Sequence, residues 1–107
     1  MNHVTFYLWK TDATTDFMPA LAGQVTVEGD RIDIAASTAP RIRELVDALR
    51  AQSLPLRAET MEGQGAGMKL KMREVMVKPG EPDWGYALSE AIGREGGYSV
   101  TFTPEPA

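Results

Sequence analysis

The residues with most chemical promise lie in EGQGAGMKLK, Glu62 to Lys71, where glycines at 63, 65 and 67 precede two lysines. Such a run suggests a phosphate-binding loop, in which backbone N–H groups and a lysine hold the anion. The spacing argues against it. A dinucleotide fingerprint has its third glycine three positions after the second, where this chain has Met68. A Walker-type loop has glycine directly before its lysine, whereas Met68 precedes Lys69 and Leu70 precedes Lys71. Both loops also open a helix, and the residues that follow here alternate like a strand. The expectation is therefore a mobile loop, with Gly63, Gly65 and Gly67 joining two strands.

Other chemistries meet similar objections. Glu59, Glu62 and Glu74 flank the loop and would suit acid/base work, but their spacing selects no pair. Asp12 and Asp16 lie close to Thr14 and Thr15, without the alternating oxygen ligands, central glycine and closing glutamate of a calcium loop; capping and turn formation account for them. Met68, Met72 and Met76 offer thioethers, yet on a strand they spread too far to close on one copper ion, and core packing is the expected use. The chain has no cysteine and one histidine, His3, which removes thiolate metal sites, cysteine nucleophiles, histidine pairs and a base for any serine. No metal, cofactor or catalytic residue is expected, and a non-enzymatic role is favoured over a small enzyme or small-ligand regulatory domain.

Two features remain. Lys69, Lys71 and Arg73 line one face of a strand as a local positive stripe, and Tyr7 and Trp9 share one face of another. On one uncovered sheet face they would combine stacking platforms with phosphate-compatible charge, the makings of a single-stranded nucleic-acid or nucleotide site. A basic stripe is more often a solvated outer face, and an aromatic patch opposite a helix-covered face suits self-association or a protein partner. Protein binding or a homo-oligomer is the preferred reading, with nucleic acid ranked below it.

The bulk composition agrees. At 107 residues the chain has the size of one domain, residues 1–107, with a short proline-containing tail at 104–107. Apolar content of 43% and charged content of 24% are those of a folded globular protein, and a net charge of -4 opposes general attraction to nucleic acid or anionic lipid. The longest apolar run, VTFYLW, falls far short of a membrane span, so neither a membrane partner nor a targeting segment is expected, and a cytoplasmic setting is.

These residues must be positioned by a small set of elements. Val4 to Trp9 read as a strand with Val4, Phe6 and Leu8 on one face. A helical turn is expected over residues 17–22, capped by Asp16 and ended by Gly23. Gly29-Asp30 between two alternating runs predicts a hairpin with Glu28 opposite Arg31, Val27 opposite Ile32, Thr26 opposite Asp33 and Val25 opposite Ile34. A helix over residues 39–52 follows, capped by Ser37 or Thr38, with Ile42, Leu45, Val46 and Leu49 as its apolar stripe and an Arg43–Asp47 pair outside. A short strand spans residues 56–61, and alternation favours strand over helix for residues 68–77. Asp83 caps a second helix to about Glu95, with Trp84, Leu88, Ala91 and Ile92 inward, and YSVTF closes the fold as a strand.

From Arg31 onward the order is strand, helix, strand, strand, helix, strand. It predicts an α+β fold, a mainly antiparallel sheet with two helices on one face, built on a ferredoxin-like βαββαβ core that an extra N-terminal strand and hairpin arm precede.

Overall fold

The computed structural model describes residues 3–11 and 20–102, apart from the side chains of Ala58 and Thr60. The elements are β1 (His3–Lys10), β2 (Leu21–Glu28), β3 (Arg31–Ile34), α1 (Pro40–Leu49), β4 (Leu54–Glu62), β5 (Lys69–Val77), α2 (Trp84–Gly96) and β6 (Tyr98–Phe102). The fold is α+β, with antiparallel ladders throughout and two helices.

The predicted hairpin forms with all four expected pairs, from Glu28–Arg31 to Val25–Ile34. Gly29 takes a φ of 61° at the turn, a value that suits glycine and few other residues. Thr5 and Thr26 hydroxyls meet at 3.0 Å across β1 and β2 on the polar face. On the other face Val4, Phe6, Leu8, Val25 and Val27 are buried under the helices, beside Ile42, Val46, Trp84, Leu88 and Ile92. Alternation thus divides the sheet into one helix-covered face and one face that no described helix covers.

Strand order departs from the ferredoxin-like expectation. A ferredoxin-like sheet would interleave β3, β4, β5 and β6, whereas hydrogen bonding gives a four-stranded sheet ordered β3-β2-β1-β6 and a separate β4-β5 ladder. The strand expected to be an addition, β1, is a central one, pairing with β2 on one side and β6 on the other. Val4, Phe6 and Leu8 of this strand are almost wholly removed from water, as suits a strand paired on both sides beneath the helices.

Local expectations shift in smaller ways. Leu21 and Ala22 belong to β2, not to a helical turn, and the Ala20 carbonyl accepts from Lys10 N–H at 2.9 Å; residues 17–19 of the expected turn, with Asp12 and Asp16, lie outside the described residues. A register shift between Leu8 and Trp9 lets Ala22 and Gly23 both turn inward. α1 starts at Pro40 with Ala39 in the cap position and no side-chain cap, because the Thr38 hydroxyl bonds Gln24 of β2 instead. It stops at Leu49, and Gln52 folds back on the last turn through Nε2 to the Ala48 carbonyl at 2.7 Å. Arg43 leaves Asp47 unpaired with it and donates to the Ala35 carbonyl at 2.9 Å. α2 forms where expected and ends at Gly97 in the left-handed conformation, but Asp83, though it precedes the first turn, has αR backbone and makes no side-chain cap bond. Its Trp84, fully buried, donates Nε1–H to the Gln52 carbonyl at 2.9 Å and ties α2 to the turn that follows α1.

Candidate functional site

The β4–β5 ladder is nine residues long on each side, but only its base is packed. Leu54 and Val77 are buried and Leu56 is half-buried against the main cluster, while β5 from Lys69 to Met76 is exposed at every residue. It forms an arm whose far end is held by a tight turn. Gly63 and Gly65 adopt φ values of 119° and 57°, and a Cβ at Gly63 would stand 2.6 Å from the Gly67 carbonyl oxygen. Gly63 and Gly65 answer to this turn, while Gly67 has ordinary backbone and open space around it; the turn precedes a strand and not a helix, so no phosphate loop is formed.

Register divides the arm into two faces. Leu54, Leu56, Val75 and Val77 share one face with Glu62, Lys69, Lys71 and Arg73 nearer the tip. Glu62 accepts from Lys71 Nζ at 2.9 Å and from Arg73 Nη2 at 2.8 Å, so two of the three cations of the basic stripe are matched by a carboxylate. These pairs are largely exposed and contribute modestly. The opposite face carries Met61, Leu70, Met72 and Met76, with Arg57 opposite Glu74 and Glu59 opposite Met72. Those four apolar residues are 57%, 57%, 55% and 63% exposed, and Met68 beside the turn is also exposed. The methionines expected in the core therefore line a solvent face. The base of the ladder explains why: Leu54, Leu56 and Val77 join the buried cluster, and residues of the other parity must point away.

Tyr7 and Trp9 lie elsewhere, half-buried on the uncovered face of the four-stranded sheet, with ring centroids 6.5 Å apart. Trp9 Nε1 donates to Thr101 Oγ1 at 2.8 Å, and the neighbours Thr5, Thr26 and Thr101 are polar. The structure thus keeps the aromatic pair and the basic stripe on separate ladders and brings together neither the stacking-plus-phosphate surface nor one continuous apolar face around Tyr7 and Trp9. Glu62 is separated by the pleat from Glu59 and Glu74, which share the other face on a diagonal with Arg57 and Met72 directly opposite them. A cleft of about 330 Å³ is edged by Glu28, Asp30 and Glu81, yet among the described residues no cluster of three His, Cys, Asp or Glu could hold a metal. No described helix is long and apolar enough to cross a membrane.

Compared with known proteins, the chain matches no family model, no curated protein and no solved structure. The functional reading therefore rests on the arm. Four large apolar side chains on one face of a two-stranded ladder are suited to cover another protein surface, and methionine adapts its shape to such a surface. What sequence reasoning missed was the facing of the methionines, and the signal was that Val77, the β5 residue that reaches the core, shares its parity with the basic residues.

Proposed function

We propose that the protein is a non-catalytic association module that binds a second copy of itself through the β4–β5 arm. The observation that supports this is the exposed face of Met61, Leu70, Met72 and Met76. Leaving such side chains in water forgoes about 1.5–3 kcal/mol for each one that could be fully buried, and a partner surface recovers that energy. The arm places them on a ladder fixed at its base, which limits the ordering cost of binding. Lys69, Lys71 and Arg73 around Glu62 form the polar side of the same arm, and Tyr7 and Trp9 offer a second, more polar contact surface.

The test is sedimentation equilibrium of the protein and of a Leu70→Ser/Met72→Ser variant. Both substitutions lie on the exposed face, so the folded state should be unaffected. Self-association in the ~10–100 μM range, weakened at least about tenfold in the variant, is expected. A protein that stays monomeric at that concentration, or one whose association the variant leaves unchanged, would contradict the proposal.

A further inference from the structure

The outer strand β6 pairs with β1 on one side only, and among the described residues no other backbone hydrogen bond reaches it. Edge strands normally carry charge or proline against unwanted pairing. β3 has Arg31 and Asp33, β4 has Pro55, Arg57 and Glu59, and β5 has Lys69, Lys71 and Arg73. β6 has none of these. Its sequence, Tyr98-Ser99-Val100-Thr101-Phe102, is instead symmetric in character about its centre. Paired antiparallel with a second copy about Val100, it sets Tyr98 against Phe102, Ser99 against Thr101 and Val100 against Val100, each a favourable cross-strand pair. A shift of one residue toward the N-terminus sets Thr101 against Gly97, which is left-handed, and a shift toward the C-terminus sets Tyr98 against Pro104, which has no N–H. The same operation on β5 stacks Arg73 on Arg73.

The helix above carries a matching feature. α2 runs back along β6: Tyr86 stacks on Phe102 with centroids 5.2 Å apart, Gly93 lies against Val100, and Gly96 lies against the Tyr98 ring. The exposed stripe of α2 is Tyr86, Glu90 and Arg94, spaced four apart, and Glu90 and Arg94, with Arg57 of β4 on the same rim, edge a cleft of about 310 Å³ beside Tyr98 and Val100. A two-fold axis at Val100 runs the partner's α2 antiparallel to this one and brings Glu90 of each copy toward Arg94 of the other. Tyr86 and Phe102, 40% and 44% exposed, lie beside the join.

We propose that two copies of this chain join through β6 and α2 about that two-fold axis, forming one eight-stranded sheet ordered β3-β2-β1-β6 and its mirror sequence. This rests on the association reading above and adds a second, separate contact to the arm. The test is made in the Leu70→Ser/Met72→Ser variant, where the arm is silenced, again by sedimentation equilibrium. A residual dimer is expected. Glu90→Arg alone or Arg94→Glu alone should weaken it roughly tenfold by setting like charges opposite each other at two symmetric places, and the double exchange should restore it. A monomeric arm variant would overturn this geometry while leaving the arm reading intact. A dimer indifferent to the single reversals, or one the double exchange fails to rescue, would also overturn it. An arm variant that associates as the unsubstituted protein does would contradict the arm reading instead.

Discussion

At the scale of single residues, small side chains decide how closely the layers approach. Gly23 lies where β2 passes under α1, and a Cβ there would meet Thr38 Cγ2 at 2.6 Å and Ile42 Cδ1 at 2.9 Å. Thr38 cannot yield freely, since its hydroxyl is engaged with Gln24. Gly23→Ala is therefore expected to destabilise the fold by about 1–3 kcal/mol through overpacking, read as a lower urea midpoint; an unchanged midpoint would show that α1 moves away without cost. Single residues were also where sequence reading was least secure. Gly23 reads as the stop of a helical turn, and only the tertiary contact reveals it as a close-approach position. The methionines read as core because their type is usually buried, while burial here is set by the parity of Leu54, Leu56 and Val77.

At the scale of elements, local signals translated well and termini poorly. The β2–β3 hairpin was legible to the residue because Gly29 and the alternating valines and isoleucines fix the register within ten residues. Strand character of β5 followed from alternation. The start of α1 did not follow, because Thr38, a good cap by type, is committed to β2 and leaves Ala39 in the cap position. That position has φ -59° and ψ 143°, the extended backbone a capping residue takes. Ala39→Ser is accordingly expected to stabilise the protein by about 1 kcal/mol by accepting from an unsatisfied first-turn N–H, raising the thermal midpoint. A lower midpoint would mean that the half-buried Ala39 site tolerates no hydroxyl.

At the scale of the whole molecule, the α+β class and the helix-covered face were legible, and the strand order was not. Pairing β1 with β6 joins residues from 88 (Lys10–Tyr98) to 96 (Phe6–Phe102) positions apart, for which no local pattern carries information. The same is true of the contact surface: its residues were visible, but whether they face core or water depends on how the β4–β5 ladder meets the rest of the fold. The measurement that tests the association reading most directly is amide hydrogen exchange at dilute and at high protein concentration. Slower exchange on concentration across Lys69–Val77 is expected, with the buried α2 core unchanged. Exchange along the arm that is the same at both concentrations, in a protein otherwise fully folded, would contradict the claim that this face meets another chain.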